Sequence, residues 1–263
     1  MAIKTVIVPV DFSETSLNAA RYAARLFTGR YGVNMILHHV YEKAEEAEQA
    51  DRGLENLKTS LLETGIVKIS ILAEQGSDFL VELEKLARHR HADLVVMSIT
   101  ERNAIGQSLV GSNALKMLNT KVCPVLIVPP DANYSDLKNV LLTSDFRNVK
   151  ASTPSVPIRN FLKTFHPHLH IINTSSEHYV AITEEYQQEK NDLKEMFHDL
   201  RPEFYFLGLE DVNDAINQFA TDKNIDLIII IHKEQSVISK FFIKSHTKKL
   251  AYQSNIPVLA VHE

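Results

Sequence analysis

Two aspartates follow short apolar runs at corresponding places in the two halves of the chain. Asp11 comes directly after the run TVIVPV, and Asp145 comes after NVLLTS. Runs of this kind are typical of β-strands, and open α/β sheets bind ligands beyond the carboxyl ends of their strands. A carboxylate there can accept hydrogen bonds from the donor groups of a ligand, and a turn or helix-cap role is the alternative.

Three histidines, His166, His168 and His170, alternate along the second half. On a strand their side chains project to one face, an arrangement that could hold a metal ion. However, Pro167 lies among them, the triplet straddles a loop–strand boundary, and no cysteine or carboxylate is close by in the sequence. The sequence therefore predicts no metal site.

Enzymatic chemistry has no recognisable motif in this chain. The sequence contains no Ser/His/Asp order, paired-carboxylate spacing, zinc signature or Walker-type phosphate loop. We therefore predict no catalytic residues, and a non-enzymatic role is favoured.

The chain consists of two copies of one pattern. The segment KTVIVPVDF at 4–12 corresponds to KNVLLTSDF at 138–146, and CPVLIV at 123–128 corresponds to IPVLAV at 256–261. The spacing between equivalent residues changes by only one residue across the copy, which indicates duplication. A proline-containing connector, PPDANYSD at 129–136, separates the copies, and we predict domains over 1–130 and 137–263.

Within each copy, β-branched runs alternate with longer amphipathic stretches, the pattern of βα units that form a parallel sheet. Ser13 is expected to cap the first helix, and the second helix is expected over roughly 43–63. In the second copy, Pro154 and Pro157 predict a first helix that starts late, near Pro157. Strands are predicted near 4–10, 34–40, 67–73, 93–98 and 123–128, and near 138–143, 168–173, 203–207, 226–231 and 257–261.

Bulk properties exclude several classes of partner. Lys and Arg number 28 against 33 Asp and Glu, a net charge of −5, so no sequence-wide basic field favours nucleic acid or an anionic membrane. No apolar run approaches membrane-spanning length. The single cysteine, Cys123, lies in the apolar run VCPVLIV and is predicted to be buried. We expect a cytoplasmic protein.

The segment PVDFSETS at 9–16, the pair His39-Val40, and Gly111-Ser112 followed by CPV at 123–125 resemble the UspA-type universal stress proteins. The resemblance extends over nearly the whole chain, since each of the two copies resembles a complete family domain. It implies two tandem doubly wound parallel-sheet domains, Rossmann-like and adenine nucleotide alpha hydrolase-like, that form an intramolecular pseudo-dimer.

The resemblance also implies an adenine-nucleotide site in each domain. The residues that it assigns to the adenosine side and the phosphate loop of the first domain are Pro9, Asp11, Ser13, Val40, Ser98, Gly111 and Ser112. The family's phosphate loop has Gly, two residues, Gly, nine residues, Gly, then Ser or Thr. Here Ser98 and Glu101 replace the first two glycines. Glu101 would place a carboxylate near the polyphosphate, so binding is expected to be weakened.

The second domain departs further from the family pattern. Its loop positions are Ile231, Glu234, Lys244 and Ser245, of which only the serine fits. Thr143 and Thr174 replace the counterparts of Pro9 and Val40. Asp145 and Ser245 are the remaining site candidates in this half.

Together these features predict a universal stress protein that acts as a non-catalytic stress-response scaffold or sensor with degenerate nucleotide sites. An adenine-nucleotide-binding switch with a weak ATP or AMP site in the first domain, or a slow ATPase, is the alternative. No cofactor is required by this interpretation. We expect the chain to bind protein partners or a second copy of itself. If it is a nucleotide-binding switch, we expect it to bind adenine nucleotide as well.

Overall fold

The computed structural model describes residues 3–65, 67–98, 112–173, 183–206, 212–232 and 255–263. These residues form two compact units, Ile3–Tyr134 and Ser135–Glu263. Among the described helices, none combines the length and apolar character that crossing a membrane requires.

The first unit is a parallel sheet with helices between its strands. The sheet order is β3-β2-β1-β4-β5, and each neighbouring pair is parallel. Its strands are β1 (Thr5–Pro9), β2 (Asn34–Tyr41), β3 (Lys68–Gln75), β4 (Leu94–Ser98) and β5 (Val125–Val128). Its helices are α1 (Glu14–Leu26), α2 (Ala47–Thr64), α3 (Phe79–His89) and α4 (Ser112–Asn119), with a single 3-10 turn over Ala44–Glu46 before α2.

The second unit repeats this plan. The sheet order is β10-β9-β6-β7-β8, again with parallel neighbours. Its strands are β6 (Asn139–Ser144), β7 (His168–Asn173), β8 (Glu203–Phe206), β9 (Leu227–His232) and β10 (Val258–His262). Its helices are α5 (Val149–Ser152), α6 (Ser155–Phe165), α7 (Glu184–Met196) and α8 (Val212–Asp222), and a 3-10 turn covers His198–Leu200.

All ten predicted strands are confirmed to within about two residues. The central strands β4 and β9 are apolar at successive positions, and their first four residues are buried. Side chains that alternate to opposite faces are all buried only when both faces of a sheet are covered. The doubly wound α/β class is therefore confirmed for each unit.

A carboxylate at the start of the fourth strand fixes its neighbour in both units. Asp93 Oδ2 accepts hydrogen bonds from the backbone N–H groups of Lys4 at 2.8 Å and Thr5 at 2.9 Å. In the second unit Asp226 Oδ2 accepts from Lys138 and Asn139, both at 2.9 Å. These bonds anchor the start of the first strand beside the fourth, which is where the strand order reverses.

The first helices of the two units begin differently. In the first unit, Ser13 caps α1 as predicted, because its Oγ accepts from Ser16 N. In the second unit, the helix predicted to start late, near Pro157, is α6, which starts at Ser155, but the prediction missed the four-residue helix α5 that comes before it. The break falls at Thr153 and Pro154, since a proline disfavours helical backbone in the residue before it.

We predict that Asp93→Ala lowers the free energy of unfolding of the first unit by about 1–3 kcal/mol, because it leaves two strand-end N–H groups without their charged acceptor. Urea unfolding followed by circular dichroism measures the loss. Asp131→Ala, which removes an exposed connector aspartate, is the matched control and should change stability by less than about 0.5 kcal/mol. Equal effects of the two substitutions would contradict the anchoring role.

We also predict that the thiol of Cys123 is unreactive in the folded protein. Burial, with a smaller contribution from the Asp93 carboxylate, raises the pKa of Cys123 to about 12, and the side chain is buried. Since the thiolate is the reactive form, an aromatic disulfide reagent at pH 8 should label the unfolded chain more than ~100-fold faster than the native one. Rapid native labelling that Cys123→Ser abolishes would show that the site is open.

Candidate functional site

The site predicted in the first unit lies at the carboxyl edge of its sheet. Because β1 pairs with both β2 and β4, the chain turns in opposite directions after β1 and β4, which is the place where such sheets leave a ligand crevice. Pro9 ends β1 and is buried, and Asp11 follows it with its side chain exposed. Ser98 ends β4, pairs with Val128 of β5 and is half-buried.

Two serines of the first helical turn surround Asp11. Its Oδ1 accepts hydrogen bonds from Ser13 N at 3.0 Å and Ser13 Oγ at 2.5 Å. The backbone N–H of Asp11 donates to Ser16 Oγ at 3.3 Å. Partial burial acts to raise the pKa of Asp11, but the hydrogen bonds from Ser13 and Ser16 outweigh it and hold that pKa below its ordinary value. The carboxylate is therefore ionised at neutral pH.

The end of β2 is positioned by His39. Its Nδ1 donates to the carbonyl oxygen of Val10 at 2.7 Å, and Val10 N in turn donates to the carbonyl of His38 at 2.8 Å. The Phe12 ring lies 4.8 Å from the His39 ring. A Cβ placed on Gly53 of α2 would stand 2.7 Å from the Phe12 ring, so the absence of a side chain at Gly53 makes room for it.

Beneath this edge, His38 is fully buried and its Nε2 donates to Glu74 Oε1 at 2.6 Å. Burial lowers the pKa of His38, although Glu74 acts in the opposite direction, so the imidazole is neutral at pH 7.

Val40, the adenosine-side candidate on β2, is half-buried and pairs with Glu74. A Cβ on Gly76 would come within 3.1 Å of Val40 Cγ1.

The phosphate side of this site is described only in part. Glu101 and Gly111 lie outside the described residues, and Ser112 is the first residue of α4. The structure thus brings together Pro9, Asp11, Ser13, Val40 and Ser98 at the strand ends of one sheet edge.

In the second unit, the corresponding edge is occupied by the protein's own carboxylate. Glu189 of α7 accepts hydrogen bonds from Asn148 N at 3.0 Å and from Val149 N at 2.8 Å. Asp145 is half-buried, and its Oδ1 accepts from Arg147 N at 3.2 Å. The N–H groups that begin the first helix of this unit are therefore already bound to an anion.

An aromatic cluster fills the same edge. Phe146, the counterpart of Phe12, is 1% exposed and stacks on Tyr186 with ring centroids 5.1 Å apart. Tyr186 also lies 4.8 Å from the ring of Phe206 at the end of β8. Burial raises the pKa of Tyr186 to about 12. Thr174, Glu234, Lys244 and Ser245 lie outside the described residues.

Sequence reasoning identified the strand-end residues but missed those that support or fill the site. Ser16 escaped notice although it lies within the motif PVDFSETS. Tyr186 and Glu189 lie about 40 residues after Phe146 and Val149, which they contact, on a helix without a motif, so no sequence signal pointed to them.

The comparisons with known proteins agree with one another. The model of the Universal stress protein family matches residues 2–129 and 171–262. A universal stress protein of Methanocaldococcus jannaschii is 25% identical over 139 residues, covering 48% of this chain and 81% of that protein. One of Thermus aquaticus is 27% identical over 136 residues, covering 48% and 98%. The crystal structure of a universal stress protein from Archaeoglobus fulgidus has the same fold, with a TM-score of 0.73 at 17% identity over 100% of this chain and 99% of that one.

We predict that Glu189→Gln lowers the free energy of unfolding of the second unit by about 1–3 kcal/mol. Each carboxylate oxygen accepts from one N–H group, and a glutamine amide keeps one oxygen but places an NH₂ donor where the other oxygen stands. Glu195→Gln, at an exposed position of the same helix, is the matched control and should change stability by less than about 0.5 kcal/mol. Urea unfolding measures both. If Glu189→Gln is as neutral as the control, the carboxylate does not hold this edge closed.

Proposed function

Because the chain belongs to the universal stress protein family, we propose that it is a non-catalytic stress-response scaffold or sensor whose two nucleotide sites are degenerate. The proposed domains are 1–130 and 137–263, one family domain each. A reducing compartment such as the cytoplasm suits its single, buried thiol.

The observation that carries this proposal is the occupied edge of the second unit. Glu189 takes two backbone N–H groups, and the stacked rings of Phe146 and Tyr186 stand beside them. A nucleotide would have to displace a carboxylate and separate buried aromatic side chains, which stabilise by well over 1 kcal/mol each. The free energy gained by binding an adenosine would be largely offset by the cost of this rearrangement.

The first unit supports the second candidate function, a nucleotide-binding switch with one weak adenosine site. Asp11 is ionised and exposed beside the start of α1, and Val40 stands at the end of the neighbouring strand. An exposed carboxylate can accept hydrogen bonds from the two hydroxyl groups of a ribose. The ligand of such a site would be ATP or AMP, and Gly111 and Ser112 would contact its phosphate groups.

A slow ATPase is the least supported of the alternatives. Catalysis on a triphosphate needs its charge to be neutralised, and the chain has Ser98 and Glu101 where its relatives' loop pattern has glycines. A side chain in place of a glycine keeps the backbone N–H groups away from phosphate oxygens, and Glu101 adds a negative charge.

We predict that wild-type protein binds ATP with a dissociation constant weaker than micromolar at physiological magnesium, and that Ser98→Gly combined with Glu101→Gly tightens binding. The double substitution frees the backbone and removes one repelling charge, a gain of about 1–3 kcal/mol or roughly ten- to a hundredfold. Isothermal titration calorimetry of the full chain measures it.

Two further variants control this experiment. Adding Asp11→Ala to the double variant should remove most of the gain in ATP affinity. That loss would show that the gain arises at the site of the first unit. Glycines at Ile231, Glu234 and Lys244 should give little gain, because the edge of the second unit stays filled. A sub-micromolar wild-type constant, or equal gains in both units, would refute the proposal.

A further inference from the structure

The amino edge of the second sheet, opposite to the candidate nucleotide site, holds a cluster of metal-binding side chains. His168 is the first residue of β7 and Glu203 is the first residue of β8. His170 lies two residues after His168, so both imidazoles project from the same face of β7. In the described part of the chain, these three residues form the one group whose ligand atoms could hold a metal ion.

The sheet register removes the main objection that the sequence raised. The histidine triplet has no carboxylate close to it in the chain, and this argued against a metal site. However, β7 and β8 pair so that His170 stands opposite Glu203, 33 residues later in the sequence. The parallel pairing therefore supplies the carboxylate that the local sequence lacks.

The distances within the cluster suit a small cation. His168 Nε2 lies 3.0 Å from Glu203 Oε1, and one ligand atom from each of the three residues lies within 4.8 Å of the others. Around a tetrahedral zinc ion with bonds of about 2.0–2.2 Å, ligand atoms are roughly 3.3–3.5 Å apart. The longest separation in the cluster, up to 4.8 Å, therefore needs to shorten by roughly 1.3–1.5 Å to match zinc geometry, a change that rotation of exposed side chains achieves.

The three side chains differ in freedom in a way that helps such closure. His170 is 4% exposed and is held between the Asn139 side chain, 3.3 Å from its Nε2, and the ring of Phe219. The side chains of His168 and Glu203 are 43% and 52% exposed, so they can turn toward a bound ion. Because His170 is fixed while His168 and Glu203 can move, the three ligand atoms can adopt the coordination geometry that a bound ion prefers.

An unpaired imidazole nitrogen and the neighbours of the three side chains also favour a metal site. Nδ1 of His170 is buried without a hydrogen-bond partner among the described residues, a state that costs about 1–3 kcal/mol. The hydroxyl group of Tyr205 donates to Glu203, and Asn139 meets His170. Metal ligands are commonly oriented by such second contacts.

We propose that His168, His170 and Glu203 bind a divalent transition-metal ion of the zinc class. Two imidazoles and one carboxylate form a donor set that zinc accepts, with a fourth position left for water or another ligand. Lys223, whose Nζ lies 5.1 Å from the Tyr205 ring centroid, adds a positive charge nearby and moderates the affinity. We expect a dissociation constant on the order of micromolar.

Binding would strengthen the edge of the second unit. β8 is the outermost strand of its sheet and has four residues. A metal held by β7 and β8 joins these strands through side chains as well as through backbone hydrogen bonds. An ion that binds only the folded state stabilises it by mass action, so zinc should raise the thermal midpoint of the second unit.

The test uses the full chain, freed of metal by a chelator and then exchanged into chelator-free buffer. Zn²⁺ is titrated in competition with a chromophoric chelator, and Co²⁺ is added separately to record its ligand-field absorption. We expect one equivalent per chain at the stated affinity. His168→Gln and Glu203→Gln should each weaken binding at least ~10-fold and abolish the zinc-induced rise in thermal midpoint.

His166→Gln is the matched control, because His166 is an exposed histidine that ends α6 just before the cluster, and it should leave binding unchanged. Both test positions are exposed, and circular dichroism verifies that the variants fold. Absence of saturable binding overturns the proposal. So does binding that survives both substitutions or falls equally in His166→Gln, which would mark adventitious histidine binding.

Discussion

In each unit, one carboxylate at the start of the fourth strand accepts two backbone N–H groups from the start of the first strand. Asp93 and Asp226 make these bonds at 2.8–2.9 Å. A parallel pair without a tight turn between its strands has little local chain to set its register, and a charged acceptor shared by two donors sets it at one end. The candidate site at the opposite, carboxyl end depends on this pairing, because it lies where the chain turns in opposite directions after the first and fourth strands.

The two units differ in what surrounds the same strand ends. Phe12 and Phe146 both adopt left-handed backbone, with φ of 62° and 55°, a conformation that costs a bulky residue roughly 1–2 kcal/mol. In the first unit the ring lies against His39 and the bare backbone of Gly53, and Asp11 remains exposed. In the second unit the equivalent ring is buried under Tyr186. The same strained turn therefore lies beside an exposed carboxylate in one copy and within a buried aromatic pair in the other.

Most features that depend on a local sequence pattern were predictable, although the short helix α5 was not. The duplicated strands, the Ser13 cap and the buried Cys123 each follow from a short stretch of residues, and all are confirmed. Side chains that act across long separations were not predictable, because no periodicity marks them. Glu189 reaches a helix start about 40 residues away, and Glu203 joins two histidines only through the strand register.

We propose that the candidate nucleotide sites of the two units have decayed unequally. Backbone amide NMR of the full chain, with AMP added to millimolar concentration, tests it most directly, because each unit reports separately and weak binding is still visible. We expect shifts at the amides of Asp11, Ser13 and Val40 that saturate together, and no shifts at the amides of Asp145 and Phe146. Shifts of equal size in both units, or shifts confined to the second unit, would contradict it.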